Sequence, residues 1–92
     1  SGDVYKRQDI PAYVMAEGQP IKPRGVNVEG LKRRGFSSKQ ILNIKKAYRV
    51  LYRKELKLNE AIQEITKLSS NHEELKVLLN SLRSTSDRGI IR

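Results

Sequence analysis

The chain has no cysteine and no tryptophan, a single histidine, only three prolines, and about half as many acidic as basic residues. Without cysteine there is neither a disulfide framework nor a thiolate metal site. The one histidine, His72, stands beside Glu73 and Glu74. No His/Cys/Asp/Glu cluster has metal-ligand spacing, and no Walker-type phosphate loop is present. These residues therefore supply no self-contained active site. His72 is expected to be a solvated surface histidine, and Glu73–Glu74 a pair suited to the positive end of a helix. Aromatic residues make up 5% of the chain, so any core must be built from Leu, Ile and Val. No apolar run approaches the ~18 residues of a membrane span, and no signal-peptide pattern is present. The expectation is a soluble intracellular domain without stable membrane insertion.

What is there suffices for one small domain of 92 residues. Its apolar content, 37%, falls below the roughly 45–50% usual in globular domains. A domain of this size buries a modest share of its surface, so some dependence on a partner or on further sequence is expected. The net charge of +9 suits an anionic partner. Charge alone does not rank nucleic acid, a membrane surface, a phosphorylated ligand and an acidic protein.

The first eight residues, SGDVYKRQ, stand apart. DVYKRQ is the string that one reading frame of a transposon adapter used in sequencing-library preparation encodes. Residues 1–8 are therefore expected to be a scar of that adapter and are left out of the fold. Residues 9–25, DIPAYVMAEGQPIKPRG, hold all three prolines, a density that excludes a helix. Within them YVMA has the composition of a strand. Ile10 and Ala16 stand six residues apart, the interval of a hexapeptide-type β-helix coil.

Helical signals begin at residue 26. Asn27 is a suitable N-cap, Glu29 fits the positive end, and Gly35 a C-terminal stop, which together predict a short helical turn. Ser37 and Gln40 form a capping box with Phe36 and Ile41 as its staple. The three- and four-residue steps of Ile41, Ile44, Tyr48, Leu51 and Tyr52 predict a helix over about 38–54. A second helix is predicted with Asn59 as its cap and Ile62, Ile65 and Leu68 on its buried side. For a third, Asn71 and Glu74 would form a capping box ahead of Leu75, Leu78, Leu79 and Leu82. The ending STSDRGIIR suggests a turn at Asp87–Gly89 and a docked apolar tail. Together these give a β-type stub, a basic turn and a three-helix bundle.

The basic residues fall into two groups. Lys45, Lys46, Arg49 and Arg53 lie largely off the apolar face of the long helix; they form either a solvated face or a docking surface for an acidic protein. The second group sits in NVEGLKRRG. Arginine forks bind phosphate oxygens in bidentate fashion. Asparagine both donates and accepts, and a carboxylate accepts from hydroxyl or ring N–H groups. Such a set suits a nucleotide-sugar, whereas a carboxylate repels a nucleic-acid backbone. The other reading of the same residues is a charge cluster at a helix end.

GVNVEGLKRRGFS resembles the signature of the UDP-N-acetylglucosamine O-acyltransferase family, which begins lipid A synthesis in Gram-negative bacteria. DIPAYVMAEG, AYRVLYR and the RGIIR ending extend the resemblance over about 9–92. It implies a mainly α chain, with a C-terminal three-helix bundle following the last coil of a left-handed parallel β-helix of hexapeptide-repeat type. On that basis residues 1–8 are the adapter scar, 9–25 the last coil and linker, and 26–92 the helical domain with the nucleotide-binding motif. The implied enzyme is a cytoplasmic homotrimer that transfers a hydroxyacyl chain from acyl carrier protein to the glucosamine 3-hydroxyl of UDP-N-acetylglucosamine. Neither a metal nor an organic cofactor is implied. The family's general base is a histidine of the β-helix, which His72 does not match, so the chain alone is expected to be inactive. Asn27 and Glu29 match positions facing the uridine portion, and Arg33 and Arg34 positions facing the diphosphate, with Lys32 a solvated neighbour. Lys45, Lys46, Arg49 and Arg53 suit a carrier-protein surface. Ile21 departs from the family pattern, where a small residue is common. The competing reading is a small basic helical nucleic-acid-binding module.

Overall fold

The computed structural model describes residues 9–84 and 89–92. The adapter-like stretch 1–8 lies outside the described residues, as do Asp87 and Arg88 of the expected turn. Two strands, β1 (Val14–Glu17) and β2 (Lys22–Val26), precede four helices: α1 (Val28–Arg33), α2 (Ser38–Arg53), α3 (Leu58–Leu68) and α4 (Glu73–Arg83). The chain is mainly helical, as expected, with α2, α3 and α4 forming the bundle.

The strands form an antiparallel hairpin in which Val14 faces Val26 and Glu17 faces Lys22. The expected strand over 13–16 is displaced by one residue, because Tyr13 adopts a φ of +70°. Its side chain instead anchors the segment. The Tyr13 hydroxyl donates to the Glu74 main-chain oxygen at 3.0 Å, and the ring meets Phe36 edge-on at 5.9 Å. Just before it, the Ala12 N–H donates to Ser81 Oγ at 3.0 Å, tying the stub to α4. The sequence pattern does not predict β2, whose Pro23 and Gly25 look like breakers. On an edge strand a proline is tolerated, and a bulge opposite Met15 and Ala16 takes up Arg24 as the extra residue.

α2 begins as its sequence dictates. Ser37 Oγ accepts from the Gln40 N–H at 3.1 Å, and Gln40 Oε1 accepts from the Ser37 N–H at 2.8 Å. Ile41, Ile44, Ala47, Val50 and Leu51 are buried along it, and Leu75, Leu78, Leu79 and Leu82 along α4. Full burial of each Leu or Ile side chain stabilises by about 1.5–3 kcal/mol, so these two stripes carry much of the fold.

Two helix starts differ from expectation. α3 begins at Leu58, not after Asn59: the Glu60 carboxylate accepts from the Lys57 N–H at 2.9 Å, making Lys57 the cap position. The buried stripe moves with it to Ala61 and Ile65, with Ile62 half-buried and Leu68 exposed. At α4, Asn71 takes a φ of +62° in the preceding turn, and His72 occupies the cap position. Glu74 does not reach back to close a box. It is buried, and its carboxylate accepts from Asn43 Nδ2 of α2 at 2.9 Å.

The tail docks as its two isoleucines suggest, with Ile90 and Ile91 both buried. Ile90 forms a parallel bridge with Asp9. The Asp9 N–H donates to the Gly89 oxygen at 3.0 Å, and the Ile91 N–H donates to the Asp9 oxygen at 2.9 Å. Arg92 Nη1 donates to the Leu56 oxygen at 2.9 Å, fastening the tail to the α2–α3 turn.

Candidate functional site

α1 has only six residues, too few to persist without help. Three devices hold it. At the start, Asn27 Oδ1 accepts from the Gly30 N–H at 3.1 Å, while the Asn27 N–H donates to the Tyr13 oxygen at 2.9 Å. In the middle, Leu31 is 2% exposed and seats the helix in the core. At the end, the Gly35 N–H donates to the Lys32 oxygen and the Phe36 N–H to the Leu31 oxygen, both at 3.0 Å. That pair of bonds is the Schellman closure, which needs a left-handed residue; Gly35 provides it with a φ of +86°.

This rigid turn presents the predicted residues to solvent. Asn27, Glu29, Lys32, Arg33 and Arg34 are all exposed. Glu29 and Arg33, one helical turn apart, are neighbours on the surface, yet among the described residues neither is in an ion pair. The Arg34 guanidinium lies 5.2 Å from the centre of the Phe36 ring, a cation–π contact that limits its wandering. Burial raises the Tyr13 pKa, against an opposing pull from Arg34.

Lys32 is solvent-exposed and also borders a depression. It lines an open groove of about 320 Å3 between α1 and α2, with Val28, Ser38, Ile41, Leu42 and Lys45. The groove continues along α2 past Val26, Tyr48, Arg49 and Arg53. It ends at Lys22, Pro23, Tyr52 and Arg92. Among the described residues, six cationic side chains and no acidic side chain line this trough. Lys45, Arg49 and Arg53 thus share one side of α2. Lys46 does not: it borders another depression with Arg49, Val50, Lys54 and Leu68. The sequence reading missed Lys22, Lys32 and Arg92 as members of the basic trough. Only Lys32 carried a signal, through its place in the KRR run.

The Tyr52 hydroxyl, beneath the far end of the trough, is buried and has no hydrogen-bond partner among the described residues. Burial first, then the neighbouring Tyr48, pushes its pKa up to about 12 against an opposing pull from Arg92. His72 is half-buried and not simply solvated, with Nδ1 3.4 Å from Asn43 Nδ2 and 3.7 Å from Glu74 Oε2. Among the described residues no His/Cys/Asp/Glu group could hold a metal ion. None of their helices is long and apolar enough to cross a membrane.

A family model described as UDP N-acetylglucosamine O-acyltransferase, domain 2, matches residues 9–91. The chain belongs to that family. A Fusobacterium nucleatum acyl-[acyl-carrier-protein]–UDP-N-acetylglucosamine O-acyltransferase is 46% identical over 85 residues. One from Thiobacillus denitrificans is 47% identical over the same length. In each case the match covers 92% of this chain and 33% of the relative. The crystal structure of the Moraxella catarrhalis UDP-N-acetylglucosamine O-acyltransferase superposes with a TM-score of 0.86 at 39% identity. That match covers 92% of this chain and 33% of the other. The chain therefore spans about a third of the length of the acyltransferases it matches. Because the match runs through the bundle as well as the basic turn, family membership supersedes the reading as a nucleic-acid-binding module.

Proposed function

We propose that this chain forms the C-terminal part of an acyl-[acyl carrier protein]–UDP-N-acetylglucosamine O-acyltransferase, supplying one wall of the sugar-nucleotide pocket and a landing surface for the acyl carrier protein. The observation that carries the proposal is α1: a capped turn that leaves Asn27, Glu29, Arg33 and Arg34 exposed and, among the described residues, without ion pairs, in a chain of this family. The arginines suit a diphosphate, to which a guanidinium binds through paired N–H donors. Glu29 suits the ribose or base as an acceptor.

In this reading residues 9–25 leave the last coil of a left-handed parallel β-helix, and the working enzyme is a cytoplasmic homotrimer of lipid A synthesis. The reaction moves a hydroxyacyl chain from the carrier thioester to the sugar 3-hydroxyl, with a general base supplied from upstream of Asp9. The role of residues 9–92 is binding and orientation. The trough suits an acidic carrier, since its six cations attract it and lengthen productive encounters.

The test is a chimera in which residues 9–92 replace the C-terminal third of the Fusobacterium relative. It is expected to bind UDP-N-acetylglucosamine and to acylate it, whereas the 92-residue chain alone is expected to show no transfer. Arg33→Ala in the chimera should weaken sugar-nucleotide binding by about 1.5–3 kcal/mol, the range for a charge-assisted hydrogen bond. An unchanged Kd for Arg33→Ala would remove its phosphate role, and a folded chimera that binds no sugar-nucleotide would overturn the proposal.

A further inference from the structure

We infer that Tyr13 is a positioning residue: it fixes the Phe36 ring and, through that ring, pre-sets the Arg34 guanidinium for its anion. The inference rests on the sugar-nucleotide reading of α1. Tyr13 stands third in a turn that closes with the Val14 N–H donating to the Pro11 oxygen at 3.3 Å, and it adopts a φ of +70°. Such a place ordinarily takes glycine or asparagine, and a bulky side chain there works against the backbone. The side chain must therefore do something that outweighs this cost. Fastening the stub is not it, because the neighbours do so already. The Ala12 N–H donates to Ser81 Oγ at 3.0 Å, and the Asp9 main chain is bonded to Gly89 and Ile91.

What Tyr13 adds is a link from the bundle to the end of α1. Its hydroxyl donates to the Glu74 main-chain oxygen at 3.0 Å, which holds the ring against the start of α4. The same ring meets Phe36 at 5.9 Å with the two planes 74° apart, an edge-to-face contact of the favourable kind. Phe36 in turn carries the Arg34 guanidinium over its face at 5.2 Å. The Arg34 charge also reaches the Tyr13 phenol, where it pulls against the effect of burial. Bundle, Tyr13, Phe36 and Arg34 thus form one chain of contacts. An exposed arginine samples many rotamers and gives up that freedom when it binds. A guanidinium already resting on a ring that cannot turn gives up less, and binding is tighter to that extent. Phe36 alone would not suffice, since a half-buried ring without its edge partner can tilt and take the cation with it.

In the chimera, Tyr13→Leu keeps the bulk and the main-chain bond to the Asn27 N–H but removes the aromatic edge. It is expected to raise Kd and KM for UDP-N-acetylglucosamine about three- to fivefold, with kcat held. Tyr13→Phe keeps the ring contact and should stay within about twofold of the parent. Arg34→Ala should raise Kd more than about tenfold. Adding Tyr13→Leu to it should have no further effect, because no guanidinium is left to place. Ser81→Ala loosens the stub at Ala12 without breaking the chain from Tyr13 to Arg34, and should leave Kd unchanged. An unchanged Kd for Tyr13→Leu, additivity with Arg34→Ala, or an equal rise from Ser81→Ala each overturns the positioning role while the phosphate contact stands. An unchanged Kd for Arg34→Ala removes the contact itself, and the inference with it. Should the urea midpoint show that Tyr13→Leu folds poorly, Phe36→Leu breaks the same chain in its middle. It should raise Kd about as much and lose its effect beside Arg34→Ala, and failure of either overturns the inference.

Discussion

Replacing Asn43 by alanine should cost this chain far more than a half-buried polar residue on a helix usually does. Asn43 Nδ2 donates to Glu74 Oε2 at 2.9 Å, and the Glu74 side chain is 4% exposed. The alanine variant leaves a carboxylate inside the bundle with His72, at 3.7 Å, as its one remaining side-chain partner among the described residues. Losing a hydrogen bond to a charged group costs about 1.5–3 kcal/mol, and stranding a buried charge by removing its partner costs ~3–5 kcal/mol. His72 can relieve part of this by turning toward the carboxylate, and alanine favours the helix by a few tenths of a kcal/mol. The expected loss is about 2–3 kcal/mol, or a drop in Tm of roughly 10–20 °C for a domain of this size. Urea and thermal unfolding of the 92-residue chain, followed by circular dichroism, measure it. Glu74→Gln keeps an acceptor for Asn43 and should lose ~1 kcal/mol or less. Asn43→Ala/Glu74→Leu removes both polar partners and should be more stable than Asn43→Ala alone. A loss below ~0.5 kcal/mol for Asn43→Ala, the level of an ordinary surface change, would refute the reasoning.

Three further outcomes follow from the structure. Tyr52→Phe removes a buried hydroxyl that has no partner among the described residues, and should leave the urea midpoint unchanged or raised. The folded pKa of Tyr52, about 12, lies above the ordinary value of 10 because burial opposes ionisation; the fold is therefore unaffected by this group below pH 10 and loses stability as pH rises from 10 toward 12, a slope that Tyr52→Phe should weaken in unfolding curves across that window. Gly35→Ala places a β-carbon at φ +86° and should destabilise by about 1–2 kcal/mol, seen as a lower Tm, with no comparable loss at helical Gly30. In the chimera, Lys45→Glu and Arg49→Glu should each slow association with acyl carrier protein and weaken its salt dependence in stopped-flow measurements, more than Lys46→Glu, which lies off the trough.

Much of the fold is legible locally. The Ser37–Gln40 box and the Asn27 cap depend on side chains bonding a backbone three residues away, and the stop at Gly35 on a left-handed conformation that glycine adopts freely, so short patterns reveal them. The leucine stripe of α4 is equally plain because it repeats with the helix. The misses share another cause. Asn71 has a capping residue's chemistry, but the chain needs a left-handed turn there. Glu74 looks like a solvent-facing dipole partner until Asn43, thirty-one residues earlier, is brought to it. β2 contains Pro and Gly, and only its pairing with β1 makes it a strand. For the candidate site, the turn that carries Asn27, Glu29, Arg33 and Arg34 could be read ahead of the structure. The trough could not, since Lys22 and Arg92 are seventy positions apart, and their meeting is a property of the closed chain.

That closure also sets an order of events during synthesis. Asp9 is among the first of the described residues to be made, and the residues it pairs with, Gly89 to Ile91, are among the last. Until they emerge, the Asp9 edge has no mate and the surface that Ile90 and Ile91 will cover stays open. An unpaired edge beside exposed apolar surface invites pairing with another chain. The nascent protein thus passes through a window in which most of the bundle can form but its seam is still open, and that window closes only once Ile90 and Ile91 can reach Asp9.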